Sequence, residues 1–408
     1  MNLDNARTAG CLLVAALLTP CLAAAASPPP TTAANGHMSW NFEAQAPGGL
    51  LDIDLETGGS ITVRGTAGST VSIEAKMSRE VGENLRLEAT TTASGVRLFS
   101  NRPRSRWNHD SGDLEIVVTA PRRYDVRVKT MGGEIDLRQL EGEFTGQTMG
   151  GEITLVEVSG KAALKTMGGG INVRQSDLEG WVETMGGDVS FRDVRGGLRG
   201  KTMGGEVSVE DSEATATSKS EPTRAGRSDK VVELESMGGD VRIASAPRGA
   251  RVSTMGGSIR IESAREFVEA ETMGGDVRIA EVDGRVEAST MGGDVDVRVV
   301  GAGGPVELES MDGDLVLTLP ASFSGDFDIE IAYTKKSRGN FEIRSDFPLT
   351  QSRSTEWEYD NRGSKRFHSD DHDKQARKYI RGSGKSGSGE HRVTLSTING
   401  NITIRRAN

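Results

Sequence analysis

Between about residue 121 and residue 320, short runs of alternating apolar and polar residues return every 18 positions. With the corner methionine of each copy as position 0, Met273–Thr290 places Val277, Ile279, Val282, Val286 and Ala288 at positions 4, 6, 9, 13 and 15. The same positions hold Ile135, Leu137, Leu140, Phe144 and Gly146 in an earlier copy, and Val189, Phe191, Val194, Leu198 and Gly200 in another. Spacings of two mark strands with one buried face. Glycine pairs at every repeat, and the lack of a 3.6-residue period, exclude amphipathic helices. Each copy therefore predicts two short strands, joined by a Gly-Gly corner at one end and a looser turn at the other.

A unit this small cannot bury its apolar face alone, so the copies must stack. The predicted fold class is all-β: an elongated parallel β-solenoid with 18-residue rungs and irregular β caps at both ends. The corner motif Thr-Met-Gly-Gly-acid recurs at Met131, Met149, Met167, Met185 and Met203, then at Met237, Met255, Met273 and Met291, with Met311 after a step of 20. Its residues imply distinct roles. The glycines are expected to supply positive φ, the threonines a hydroxyl ladder, and the methionines an apolar seam packed at the corner rather than a soft-metal site. The acids at position 3 (Glu134, Glu152, Asp188, Glu206, Asp240, Asp276, Asp294 and Asp314) are expected to cap turns rather than to bind cations. Positions 14 and 16 carry Glu233, Glu235, Glu269, Glu271, Glu287, Glu307 and Glu309, which predicts a fairly pure acidic face. Positions 5 and 7 mix arginines with acids, which predicts a salt-bridged one.

The flanks bound the repeat. Residues 1–26, with Arg7 before an apolar stretch that runs to Leu22, read as a secretory signal peptide cleaved near Ala25 or Ala26. Both cysteines, Cys11 and Cys21, fall inside it, so the mature chain has no thiol chemistry. Residues 27–44 read as a Pro/Ala/Thr-rich linker, 45–120 as an entry cap, 121–320 as the regular solenoid, and 321–408 as a C-terminal cap with a polar insert at 351–390. A second polar insertion, roughly Ser212 to Asp229, accounts for the long step from Met203 to Met237. No mature segment is apolar for long enough to span a bilayer as a helix. A net charge of −10 over 408 residues disfavours nucleic acid as a partner.

The chemistry of the chain is sparse. No nucleophile elbow, P-loop or dinucleotide fingerprint is present, and the sequence implies no catalytic residue, no cofactor and no metal. His368 and His372 are four apart among aspartates, but they lie in a polar stretch without preorganised geometry. Aromatics among basic residues make Trp357, Tyr359, Arg362, Lys365, Arg366, Phe367 and Tyr379 the candidate partner-binding set. Their polar surroundings imply a projecting loop that can be removed without harm to the fold. The expected partner is an envelope protein or a glycan.

The repeated T-x-G-G-D-[VI] corner, the segment Leu319–Asp326, Ser345–Pro348 and the closing Ser396–Ile402 resemble the putative-adhesin family of extracytoplasmic bacterial β-strand-repeat proteins, a domain of unknown function. The resemblance covers roughly residues 45 to 408. It implies a secreted or envelope-located solenoid and carries over no active site. Together these readings suggest a non-enzymatic exported scaffold, adhesin-like or a protein-contact module. The alternative is a polysaccharide-active β-helix enzyme, a lyase or a hydrolase.

Overall fold

The computed structural model describes residues 31–32, 37–44, 48–77, 85–101, 114–210, 232–335, 337, 339–359 and 376–407. The leader, the 212–229 insertion and the His368–His372 segment lie outside the described residues. Among the described residues every regular element is a strand, and no helix is long and apolar enough to cross a membrane.

The sequence period is the strand register. Ile135–Arg138 pairs in parallel with Ile153–Val156, each residue with the one 18 further on. The same offset carries Ile153 to Ile171, Val189 and Val207. Val207 then pairs with Val241, so the rungs on either side of the 212–229 insertion are direct neighbours. In the second sheet Thr148, Thr166, Thr184, Thr202, Ser236, Thr254, Thr272, Thr290, Ser310 and Thr397 form one continuous column. The inward positions 4 and 6 are buried along the stack, and positions 13 and 15 are buried except at the half-buried Gly146, Gly180, Leu198 and Val232. Where position 15 is glycine a neighbour fills the space, and a Cβ on Gly200 would meet the Phe191 ring at 2.9 Å.

The corner is built on close approach rather than on positive φ. None of the corner glycines has φ in the left-handed region; that conformation belongs to the opposite turn, at Gln139, Glu157, Gln175 and Asp193 and at glycines such as Gly160 and Gly284. The second glycine of each pair is instead pressed against the rung below. A Cβ built on it would stand 1.6–2.3 Å from the carbonyl oxygen of the preceding corner glycine, from Gly133 through Gly293. A Cβ on the first glycine would make only ordinary van der Waals contact, with nothing closer than 3.4 Å. Threonine locks this approach: Thr184 Oγ1 donates to the Gly169 carbonyl at 2.8 Å and accepts the Gly187 N–H at 3.2 Å. The same pair of bonds recurs from Thr148 to Thr290, with serine as the bridge at Ser236.

Both ends depart from sequential order. Gly49–Asp54 lies between Gly95–Asn101 and Tyr124–Lys129, and Ser60–Thr66 between Leu114–Pro121 and Ile135–Arg138. The later rung therefore sits outside the earlier one. Antiparallel strands His37–Glu43, Thr70–Met77 and Arg86–Thr92 border this end. The expected linker thus stops short of residue 44: His37–Glu43 is a strand whose Trp40 and Phe42 are buried. At the other end His391–Ile398 is inserted between Val306–Ser310 and Gly325–Thr334. Gly325–Thr334 then pairs antiparallel with Ala376–Ser386, which also holds Thr350–Arg353 and Glu358–Tyr359. The described part of the 351–390 insert is therefore β-structure and not a dispensable polar loop. Its removal would strip the cover from the Gly325–Thr334 edge and take buried Tyr379 and Ile380 out of the cap.

The two corner glycines should respond differently to a methyl group. Gly187→Ala drives a Cβ into the Gly169 carbonyl and is expected to cost about 3 kcal/mol, lowering the melting temperature clearly. Gly186→Ala should stay within about 0.5 kcal/mol of the parent. Equal melting temperatures for the two variants would show that the corner is not pressed against its neighbour as described.

Candidate functional surfaces

The aromatic residues that stood out in the sequence divide once folded. Tyr379, 5% exposed, is part of the C-terminal cap. Its N–H donates to Ser354 Oγ at 2.7 Å, and the Arg381 guanidinium sits 4.5 Å from its ring. Trp357 is half-buried, with Tyr333 edge-on at 6.2 Å and the ammonium groups of Lys335 and Lys378 at 5.3 and 5.1 Å from its ring. Both residues close the end of the stack by cation–π and ring contacts, and Tyr379 is too buried to meet a partner. Tyr359 contributes backbone to a short strand, while Arg362, Lys365, Arg366 and Phe367 lie outside the described residues.

A different tryptophan is presented outward. Trp181 occupies position 14 of its rung, in register with Ala163 below and Arg199 above, and is 45% exposed. It borders a shallow hollow of about 280 Å³ with Lys161, Ala163, Glu143 and Glu179. The period-2 alternation already placed position 14 on the outer face, so this residue was visible in the sequence. It stands alone among aromatics in the sequence, so clustering of aromatic residues does not mark it.

Further along the same sheet the glutamate columns form an open trough of about 400 Å³. It is not purely acidic. Arg251 bridges Glu269 at 2.8 Å and Glu233 at 3.7 Å, and Arg285 bridges Glu269 at 2.6 Å and Glu287 at 3.2 Å. Arg199 and Lys201 reach Glu233 and Glu235 from the rung below, at 2.8 and 3.0 Å. The alternation along the chain does not show this, because charges 16 to 34 residues apart become neighbours only through the stack. The opposite sheet is salt-bridged as expected, for example Arg192–Glu210 at 2.6 Å and Arg260–Glu262 at 2.6 Å. Such exposed pairs contribute little stability each.

At position 3, aspartate caps the next rung. Asp188, Asp240, Asp276, Asp294 and Asp314 each accept a backbone N–H at 2.7–2.9 Å from the residue stacked above. Glutamates in that column turn instead to side chains, as Glu206 does to Arg242 at 2.5 Å. Among the described residues no group of three or more His, Cys, Asp or Glu side chains could hold a metal ion.

A family model described as Toastrack DUF4097 matches residues 51–245 and again 230–365, together well over half of the sequence. The chain belongs to the Toastrack DUF4097 family. The two matches do not mark two domains, because the ladder runs unbroken through their overlap, from Val207 to Val241 to Ile259. The Toastrack solenoid here is simply longer than one family unit. No curated protein matches the sequence. Among solved structures it is similar to a putative lipid binding protein from Parabacteroides distasonis, with 11% identity over 66% of this chain and 98% of that one and a TM-score of 0.36. It is also similar to a putative adhesin from Bacteroides fragilis, with 14% identity, 62% and 95% coverage and a TM-score of 0.28. A putative cell adhesion protein from Clostridium sporogenes shares 9% identity over 93% of this chain and all of its own, with a TM-score of 0.20. Likenesses this distant add nothing to the fold that the strand register already defines.

One carboxylate on the acidic sheet of this Toastrack chain is held against its charge. Burial, and then repulsion from Glu307, push the Glu309 carboxyl above its ordinary value of 4.5. An acid raised on folding binds its proton more tightly in the folded state, so ionising it opposes folding. That penalty is absent below the ordinary value and grows as the pH rises through the raised one. Glu309→Gln should therefore raise the melting temperature at pH 7 and leave it unchanged below about pH 4. A gain of the same size at both pH values would refute this account of Glu309.

Proposed function

We propose that this Toastrack chain is an exported, non-enzymatic β-solenoid scaffold that makes adhesin-like contacts with an envelope protein or a glycan in the periplasm or at the cell surface. Export rests on the leader-like segment from Arg7 to Ala26. The observation that carries the contact role is Trp181: a large indole turned outward in the middle of a rigid sheet, over a hollow lined by Lys161, Glu143 and Glu179. A flat apolar ring rimmed by hydrogen-bonding groups suits a sugar face or a protein surface. Strands on either side hold it in place, so little ordering is needed on binding. The shallow, open form of the hollow favours contact over chemistry, which needs water excluded from converging groups.

A screen of the purified protein against bacterial and host polysaccharides and envelope extracts tests this reading. Saturable binding without turnover is expected. Trp181→Ala should lose that binding at least tenfold while melting at the parent temperature, since an exposed side chain contributes little to the core. Turnover of a polysaccharide would replace the scaffold with an enzyme. Binding unaffected by Trp181→Ala would move the contact to the glutamate-lined trough.

A further inference from the structure

The expectation that the methionines pack at the corner fails in the structure. Met131, Met149, Met167, Met185, Met203, Met237, Met255 and Met273 are 39–51% exposed. The register places them on eight successive rungs, one directly above another. The result is a single file of solvent-facing thioethers along one edge of the stack.

The other members of the corner explain why this file is unusual. Threonine is fixed by its two hydrogen bonds, and the second glycine by the carbonyl beneath it. The interior columns need only apolar volume, and they mix Val, Ile, Leu, Phe and Ala freely. The corner position holds methionine in every rung from Met131 to Met311, and it gives way to Thr57 and Ile398 only at the two ends of the stack. The first glycine, which no steric clash requires, keeps the position next to each methionine free of a side chain. Three residues further on, the same corner carries acids at Glu134, Glu152, Asp188, Glu206, Asp240 and Asp276, which lower the cost of bringing a cation there.

The geometry points to a linear binding site for soft monovalent metal ions, Cu(I) or Ag(I), held between thioethers of adjacent rungs. Thioethers select such ions over Zn²⁺, Ca²⁺ and Mg²⁺. The zinc–sulfur bond is about 2.3 Å; a Cu(I)–sulfur bond of that order, laid end to end with a second, spans about 4.6 Å, and the larger Ag(I) spans slightly more. Neighbouring strands lie about 4.8 Å apart, and the corner backbones are held in that register, for instance by Gly256 N–H to the Met237 carbonyl at 3.1 Å. One ion bridging two stacked sulfurs fits without distortion of the corner, and methionine's three rotatable bonds absorb the remainder. A protein-docking stripe fits less well, because it would be one side chain wide and gain nothing from a uniform choice of sulfur.

Silver, which needs no reductant, is the direct probe. The mature protein equilibrated with Ag(I) and desalted should retain on the order of three to four ions per chain, one for each bridged pair of sulfurs. It should retain neither Zn²⁺ nor Ca²⁺ at the same concentration. The fourfold variant Met149→Leu, Met167→Leu, Met185→Leu and Met203→Leu should lose well over half of the retained silver, because Met131 is left without a neighbour and only Met237, Met255 and Met273 remain adjacent. Its melting temperature should match the parent's, since leucine preserves the apolar volume. Anaerobic competition with a chromophoric Cu(I) chelator should show the same ratio between the two proteins. Equal retention by parent and variant, or none by either, would overturn the proposal and leave the file as an apolar contact strip.

Discussion

Everything in this molecule depends on how closely one corner can be set upon the next. The threonine hydroxyl is the clasp: it takes the N–H of its own second glycine and gives its proton to the carbonyl of the glycine one rung below. Both partners are backbone groups at a bend, where the sheet ladders cannot reach them, and a buried orphan there would cost about 1–3 kcal/mol. The clasp also dictates the composition around it. A hydroxyl is required, so the column is threonine with occasional serine. A carbonyl must pass where a Cβ would stand, so the next residue but two is glycine. Repetition of the motif is thus a repetition of one local solution, and the length of the stack is the number of times that solution is used.

Such uniformity carries a hazard that the ends resolve. Sliding the chain by a whole rung would keep every inward column apolar and every clasp intact over most of the solenoid, so the repeats alone fix register weakly. The caps break this degeneracy. At the N-terminal end the rung built from Gly95–Asn101 and Leu114–Pro121 sits outside the rung that precedes it in sequence. At the C-terminal end His391–Ile398 returns to lie against Val306–Ser310, where Thr397 clasps Gly313 at 2.7 Å. These out-of-order placements, with the antiparallel strands beyond them, can be satisfied in only one register. They also cover ladder edges that would otherwise recruit other chains.

The regular part of this architecture was legible because its period and its physics coincide. Val277, Ile279, Val286 and Ala288 are inward in the fold as in the alternation, and even the worn corner at Thr57–Ile61 stacks where its spelling indicates, with Ile61 opposite Ile135. The caps were not legible, since nothing local in Ala376–Ser386 reveals that it pairs antiparallel with a strand some 50 residues earlier. Its mixed charges look like a loop until Ile380 and Tyr379 find an apolar neighbour. The contact surfaces were misread for a related reason. Clustering in sequence drew attention to Trp357 and Tyr379, which close the cap, whereas Trp181 and the methionine file acquire their meaning only when rungs 18 residues apart become adjacent. The acidic face failed likewise, through arginines that reach their partners across the stack.

The clasp can be tested residue by residue through amide hydrogen exchange. Thr184→Val keeps the shape of the side chain and removes only the hydroxyl. In the parent protein the N–H groups of Gly169, Gly187 and Gly205 should exchange as slowly as those of the neighbouring strands. In the variant, Gly187 should exchange at least tenfold faster, with Gly169 and Gly205 nearly unchanged, because a single clasp has been opened in an otherwise intact ladder. Fast exchange at all three glycines in the parent protein, or no change at Gly187 in the variant, would contradict the claim that the threonine hydroxyls hold the corners together.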